Sequence, residues 1–328
     1  MAMNPLQTHL KHLPLTTPLL TASGTSGTTD EISGLAGAAR IVGALGAFTT
    51  KGVTLQPRTG NPEVRVIETR TGLLNSIGLQ NSGVEAFMRD ELPALLGYRL
   101  PILVNISAGS VDEFAALAER IGELDMHGLL AGLEINVSCP NIAAGGAAFG
   151  ADPALVRTVV ETVRRHARPD LLTVTKLSPN VTRIVDPAQA AIDGGTDVLS
   201  MINTLRGTAI DVDSGRFALG NRVGGLSGPA IKPVGLQKVS ECFAAIPECR
   251  DGRVPIIGMG GIASGRDALE YIMAGATAVA VGTAWFVDPD IFPRIRDSLQ
   301  RFCRRHDTTL AALRGCVHEE AGPFRNRA

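Results

Sequence analysis

Short apolar runs alternate with longer amphipathic stretches along the whole chain. The runs fall at residues 18–22, 47–51, 102–106, 133–137, 172–177, 198–203, 255–259 and 278–282. Each is too short for a free-standing helix and too uniformly apolar for a half-exposed strand, which is the pattern of a strand buried on both faces. Helical segments between them predict parallel strands joined by right-handed crossovers, and eight strands are what a closed barrel requires. The fold class expected is α/β, a (β/α)8 TIM barrel, in one domain over residues 1–328 with long active-site loops. Helix starts support the alternation. Ser110 to Glu113 reads as a capping box and Ser264 with Asp267 looks similar, while Asp152-Pro153, Asp186-Pro187 and Asp288-Pro289 each set an N-cap before an N1 proline. An open doubly wound sheet is the rival architecture, but Gly24-Thr25-Ser26-Gly27 lacks the dinucleotide-binding spacing. Two irregular stretches break the rhythm, 54–80, with a hairpin through 65–68 and 72–75, and 204–228; long loops in a compact domain are usually lids.

Composition narrows the class. Among 328 residues, 45% are hydrophobic and 37 are glycine, which suits an α/β enzyme with tight turns and close ligand approaches. A formal net charge of −1 gives no surface for neutralising many phosphates or coating an anionic membrane, so neither nucleic acid nor membrane is expected as a partner. Five scattered cysteines form no disulfide framework and show no metal or cluster spacing. With neither a signal-peptide pattern nor an apolar run of membrane-spanning length, the expected location is the cytoplasm.

A barrel carries its chemistry where its strands end. Those ends hold Ser23, Lys51, Asn105, Asn136 with Cys139, Lys176, Asn203, Gly260-Gly261 and Gly282-Thr283. Any one polar strand end is an ordinary cap or turn, but the joint pattern points to a site. The glycines closing runs seven and eight fit a phosphate held by backbone N–H groups. Lys51 and Lys176 end apolar strands, where an unpaired ammonium is costly, and so need an anionic partner. Cys139 stands on a proline-stiffened loop between two amides and reads as functional; Cys242, Cys249, Cys303 and Cys316 read as inert buried thiols. The six histidines fall in predicted helices or termini, so neither a histidine triad nor a metal site is expected. Asp211, Asp213 and Glu134 form no evident catalytic pair.

The ordered motifs then carry a resemblance. Thr21-Ala22-Ser23-Gly24-Thr25, Thr50-Lys51-Gly52-Val53-Thr54, Asn75-Ser76-Ile77-Gly78-Leu79-Gln80-Asn81, Asn136-Val137-Ser138-Cys139-Pro140-Asn141, Lys176-Leu177-Ser178-Pro179-Asn180, Ile202-Asn203-Thr204 and Gly224-Gly225-Leu226-Ser227-Gly228 follow one another along most of the chain. Together with Gly258 to Gly261 and Gly282-Thr283 they resemble the class 1 dihydroorotate dehydrogenases, and among them the B type, whose catalytic chain works with an electron-transfer partner. The resemblance implies FMN held by Ser23, Lys51, Gly52, Asn105, Asn136, Lys176, Ile202, Gly228, Gly260, Gly261, Gly282 and Thr283. It implies dihydroorotate or orotate held by Lys51, Asn75, Ser76, Ile77, Gly78, Leu79, Asn136, Asn141, Asn203 and Thr204. Cys139 would take the proton from C5 while hydride leaves C6 for the flavin, with Lys51 also in the catalytic set and Lys176 offsetting negative charge on the reduced cofactor. NAD would receive the electrons through a partner subunit carrying FAD and an iron-sulfur cluster, a homodimer of this chain joining two such partners in a heterotetramer. Ser26, Arg206 and Thr208 depart from the family pattern.

Alternatives stay open on sequence alone. A type A enzyme would pass electrons to fumarate with no partner, and another FMN pyrimidine reductase would share the barrel. A flavin enzyme acting on RNA uridines would also use a cysteine, but its basic surface is missing. A Schiff-base lyase barrel would set a lysine at a strand end beside a phosphate site; such a protein is colourless and trapped by borohydride at Lys176.

Overall fold

The computed structural model describes residues 4–27, 32–138, 140–141 and 147–320, with the backbone alone at Pro140, Asn141, Ala147 and Ala148. All eight predicted runs form strands of one parallel sheet: β1 (Leu19–Thr21), β2 (Phe48–Thr49), β3 (Ile102–Ile106), β4 (Gly132–Asn136), β5 (Leu172–Lys176), β6 (Val198–Met201), β7 (Ile256–Met259) and β8 (Ala278–Val281). Every neighbouring pair is parallel, β2 to β8 follow one another in space as in sequence, and β8 pairs with β1. A bridge between Leu20 and Ala47 closes the ring between β1 and β2.

That seam is short, and a side chain completes it. The Thr21 hydroxyl donates to the Thr49 carbonyl at 3.0 Å and accepts from the Thr49 N–H at 2.8 Å, standing in for a ladder bond. Strand β2 is shorter than its apolar run for a related reason. The Thr50 hydroxyl accepts the Asn105 N–H at 3.1 Å, displacing the backbone carbonyl there. Regular pairing then resumes through Val53 N–H to the Asn105 carbonyl. Strand β4 ends one residue before the predicted 137, because the Asn136 side-chain carbonyl accepts the Ser138 N–H and turns the chain.

The barrel interior is filled by Leu20, Ala47, Leu103, Leu172, Val174, Val198, Ile257, Ala278 and Ala280. Leu10 and Leu15, from an N-terminal hairpin of Thr8–Leu10 and Leu13–Leu15, join that cluster and plug its lower end. The outer helices bury stripes at the expected period. Phe114, Leu117, Ala118 and Ile121 face inward from Val111–Leu124, and Val156, Val159, Val160 and Val163 from Pro153–His166. Three of the five predicted caps are present: the Ser110, Asp152 and Ser264 side chains accept the N–H of Glu113, Ala154 and Asp267. Glu113 reaches the Gly109 N–H rather than that of Ser110, so the box is shifted by one residue.

Two predicted N-caps are corrected. Asp186 lies inside the first turn of Val185–Asp193, which starts at Ile184 without a side-chain cap. Asp288 precedes a turn in which it accepts the Asp290 N–H and pairs with Arg294, and the helix begins only at Ile291. In both places an aspartate before proline satisfied the sequence rule, but the helix starts one residue before Asp186 and three after Asp288, so neither side chain reaches its first-turn N–H groups as a cap. One histidine needs correction: His127 lies in a turn after Val111–Leu124, in neither a helix nor a terminus, while His9 and His12 sit in the N-terminal hairpin below the barrel. No helix among the described residues is long and apolar enough to cross a membrane.

The two long irregular stretches meet over the upper rim. Val66–Thr69 and Gly72–Asn75 form the predicted hairpin, and Gly224–Ser227 and Leu205–Gly207 extend it to a four-stranded antiparallel sheet. Close approach demands glycine here, since a Cβ at Gly72 would lie 1.9 Å from the Ser227 carbonyl oxygen and one at Gly225 2.1 Å from the Thr204 hydroxyl.

Closure through Thr21 is testable. Thr21→Val keeps shape but leaves a buried N–H and a buried carbonyl without their partner, each costing about 1–3 kcal/mol. Urea unfolding should show a loss of about 2 kcal/mol or more. A smaller cost is expected for Ser264→Ala, about 1 kcal/mol for a helix cap.

Candidate active site

At the C-terminal ends of the strands lies a cavity of about 930 Å³, within the range that takes a cofactor or drug-sized ligand. Its wall contains Ser23, Lys51, Gly52, Asn75, Ser76, Ile77, Gly78, Leu79, Asn105, Asn136, Lys176, Ile202, Asn203, Thr204, Gly228, Gly260, Gly261, Gly282 and Thr283. Residues scattered over most of the chain are thus gathered by barrel closure alone. Cys139 lies outside the described residues. Asn141 is described only by its backbone, in Pro140–Asn141, which pairs with Ala147–Ala148.

The floor is a buried polar cluster. Lys176, 5% exposed, ends β5 with its ammonium 3.8 Å from the Glu134 carboxylate, which is 2% exposed. Glu134 accepts hydrogen bonds from Asn105 Nδ2 at 2.6 Å and from the Ser200 hydroxyl at 2.8 Å. Four adjacent strands supply these groups, in a register that sets Asn105 beside Glu134 and Lys176 beside Ser200. The anionic partner that Lys176 needs is therefore within the protein. Glu134 was passed over in the sequence because it had no carboxylate companion. The signal was there nonetheless: a glutamate two residues before Asn136 shares its strand face, and that face ends in the site. With its Nδ2 committed to Glu134, Asn105 turns Oδ1 the other way, and this buried oxygen has no hydrogen-bond partner among the described residues. Lys51, by contrast, forms no ion pair among the described residues and also borders a smaller neighbouring cavity with Arg58 and Gln80.

Backbone geometry dominates the wall formed after β7 and β8. Gly260 and Gly261 have φ of 121° and 69°, values that side-chain-bearing residues rarely adopt. The Tyr271 hydroxyl bonds the Gly260 carbonyl at 2.7 Å and fixes the turn from behind. Gly282 opens the short helix Thr283–Val287, and the Thr283 hydroxyl donates to that of Ser227 at 2.8 Å, tying this wall to the rim sheet. Lys232, packed close to Gly261, ion-pairs with Asp267 at 2.5 Å and Glu270 at 2.9 Å, clamping two helices beneath the glycine turn.

Amides line the opposite wall. Asn203 Nδ2 donates to Asn136 Oδ1 at 3.2 Å, Asn136 Nδ2 donates to the Ser107 hydroxyl, and Asn203 Oδ1 accepts the Thr204 N–H. Asn75 Nδ2 donates to the Gly225 carbonyl across the rim sheet. The Gly78-Leu79 pair, both at positive φ, is held by Asn81, which donates to the Leu79 carbonyl and to Thr54. A Cβ at Gly78 would lie 2.6 Å from Asn61. The Ser76 hydroxyl accepts from Asn61 and Asn221 and so braces this loop. Asn61, Ser107 and Asn221 were not singled out by sequence reasoning, and Asn180 only as the end of a motif. Asn180 joins the Thr204 carbonyl to the Arg206 N–H and so anchors the segment carrying Asn203.

Arg206 stands at the cavity mouth, the Thr208 hydroxyl bonds the Arg222 carbonyl, and the buried Ser26 hydroxyl has no partner among the described residues. Cys242, Cys249, Cys303 and Cys316 are buried free thiols, and burial pushes the Cys249 thiol up to about 12, far from a reactive thiolate. Among the described residues, no three histidine, cysteine or acidic side chains gather to hold a metal ion.

A closed (β/α)8 barrel with glycine turns after its last two strands and a lysine- and amide-lined cavity at the strand ends has the architecture of a barrel enzyme. The chain belongs to the dihydroorotate dehydrogenase family: the family model of that description matches residues 5–303. Similar proteins include the "Dihydroorotate dehydrogenase B (NAD(+)), catalytic subunit" of Pelobacter propionicus, 47% identical over 298 residues that make up 91% of this chain and 93% of the relative. Proteins with the same name from Desulforudis audaxviator and Geobacter sulfurreducens are 46% and 45% identical, covering 94% and 90% of this chain and 96% and 92% of their own.

The Lys232 clamp gives a pH signature. Burial works against the Asp267 charge, but Lys232, the Ser264 hydroxyl and the Ala263 N–H outweigh it and hold the carboxyl below its usual range. A depressed folded-state pKa contributes stability that is present above the unfolded value and lost as pH falls through the folded one. The stability gap between wild type and Lys232→Met in urea titrations should therefore be flat from pH 5 to 8 and shrink below about pH 4.

Proposed function

We propose that this chain is the catalytic subunit of a B-type dihydroorotate dehydrogenase. It oxidises (S)-dihydroorotate to orotate in pyrimidine biosynthesis, with FMN as resident cofactor and NAD as final acceptor through a partner subunit. The observation that carries this reading is the single cavity in which glycine turns, a buried unpartnered acceptor and a ring of amides come together. Those groups fit FMN. A flavin's ring edge presents an N–H flanked by carbonyls, which suits the orphan Asn105 Oδ1 and the Lys176 ammonium. One terminal phosphate suits Gly260, Gly261, Gly282 and Thr283, with Ser23, Gly52, Ile202 and Gly228 completing the wall.

When bound, FMN supplies the two-electron acceptor for the hydride that leaves C6. The chain's own residues do the rest. Lys51 answers the substrate carboxylate, while Asn75, Asn136, Asn141, Asn203 and Thr204, with the backbone of Ser76 to Leu79, answer the amide edges of the pyrimidine. Cys139 takes the proton from C5; an ordinary thiol pKa of about 8.5 leaves a usable thiolate fraction near neutral pH. Lys176 is a fixed cation against negative charge accumulating in a dry site. The rim sheet covers the mouth and limits water.

Onward transfer needs another protein. The sequence has no dinucleotide-binding turn and no cluster spacing among its cysteines, so FAD and an iron-sulfur centre belong to the partner, in a heterotetramer built on a homodimer of this chain. The names of the relatives, which give NAD(+) and a catalytic subunit, support NAD as acceptor and a partner subunit. Four buried free thiols agree with a reducing, cytoplasmic setting.

The purified chain should be yellow, release FMN and not FAD on denaturation, and bleach on anaerobic mixing with dihydroorotate. Cys139→Ala should keep flavin and orotate binding but slow the bleaching by about a hundredfold or more, the usual scale of a lost general base. Cys139→Ser should recover part of the rate at high pH. The isolated chain should reduce artificial dyes but scarcely NAD until the partner is added. Brisk fumarate reduction by the chain alone would mark the type A mechanism instead.

A further inference from the structure

We infer that Glu134 is a positioning residue whose buried charge sets how strongly the cavity favours the reduced flavin; the inference rests on the FMN reading above. A carboxylate 2% exposed, in the middle of an apolar strand, is expensive to desolvate, and packing alone would be better served by an aliphatic residue. Its two oxygens are divided between separate tasks. Oε2 accepts Asn105 Nδ2 at 2.6 Å and lies 3.8 Å from the Lys176 ammonium, while Oε1 is pinned by the Ser200 hydroxyl at 2.8 Å. The first contact decides the orientation of the Asn105 amide: its nitrogen is held at the carboxylate, so its unpartnered oxygen must be the atom offered to a ligand. The second sets the net charge beneath that ligand. Lys176 alone would present a full positive charge in a dry site; beside Glu134 it presents an ion pair. Electron-rich reduced flavin is stabilised by the positive end and restrained by the negative one. Glu134 thus keeps the cofactor from holding its electrons too tightly to pass them on.

Glutamine tests the charge without the shape, because its oxygen can accept from Asn105 while its amide donates to Ser200. Glu134→Gln holoprotein should remain yellow, bind oxidised FMN within about threefold of wild type as Asn105 stays oriented, and show a more positive midpoint potential. A unit charge within about 10 Å in a site of low effective dielectric shifts an equilibrium by more than tenfold. The expected change is a tenfold or greater preference for the reduced form, read as an upward shift of about 30 mV for a two-electron couple. Ser200→Ala, which keeps both charges, should shift the same ratio by less than about threefold, the scale of one modest hydrogen bond. Equal potentials in wild type and Glu134→Gln, or an equal shift from Ser200→Ala, would overturn the inference. Should Glu134→Gln fail to fold, Lys176→Gln is compared with the Lys176→Gln/Glu134→Gln pair, in which no lone buried charge remains. The double variant must lie above the single one by the same tenfold, and coincidence of the two overturns the inference. A wild-type chain that binds no FMN overturns the cofactor reading and this inference with it, whereas a flavin-loaded pair with equal potentials overturns this inference alone.

Discussion

A sheet whose strands are two to five residues long survives only if it has no edge. Closure of the ring between β1 and β2 is therefore the constraint on which the rest depends, and it rests on one bridge, on the Gly46 N–H donating to the Leu19 carbonyl and the Thr17 hydroxyl to that of Ala44, and on the Thr21 hydroxyl holding both the N–H and the carbonyl of Thr49. Once the ring is closed, everything inside must be filled or satisfied. Leucines from the N-terminal hairpin stop the lower end, and leucine, alanine, valine and isoleucine from the strands fill the middle. At the upper end the side chains become polar and the filling stops, which leaves the cavity. Closure also forces eight strand ends from distant parts of the chain to point at one another, so the site needs no dedicated domain.

The polar floor of that cavity shows how buried charge is made tolerable. Glu134 and Lys176 neutralise each other, and the remaining oxygens of the carboxylate are occupied by Asn105 and Ser200. Each of these four groups comes from a different strand, so their spacing is fixed by sheet register and not by a loop. The rim differs. Its two long connections are joined into a sheet by glycines that allow backbone contact at Gly72 and Gly225, and by asparagines that clasp the 75–81 segment. A rigid floor beneath a separately braced cover suits a site that must admit a substrate and then exclude water.

The sequence by itself determined the number, order and type of the barrel strands, because a run apolar on both faces has no other stable place than a covered parallel sheet. The strand-end pattern also singled out Ser23, Lys51, Asn105, Asn136, Lys176, Asn203 and the glycine pairs that line the cavity, since polar and glycine positions that interrupt apolar strands at their ends stand out without any structure, whereas Gly52, 75–79, Ile202, Thr204 and Gly228 came from the family resemblance. That Cys242, Cys249, Cys303 and Cys316 are buried free thiols was legible too, as the ordinary fate of a lone cysteine. Other features belonged to the tertiary structure. Where β2 and β4 stop was decided by the Thr50 hydroxyl and the Asn136 side chain bonding to backbone groups, one of them far away in sequence. Asp186 and Asp288 matched a capping rule yet do not cap, because Asp186 already lies inside its helix and Asp288 is taken up by the Asp290 N–H and Arg294 before the helix begins. Glu134 looked like an isolated acid until β3, β5 and β6 brought Asn105, Lys176 and Ser200 to it. A one-residue change of register would have sent those side chains to the opposite face. Composition and spacing specify which groups a chain owns, but only the closed ring, by fixing register across strands, specifies which of them meet.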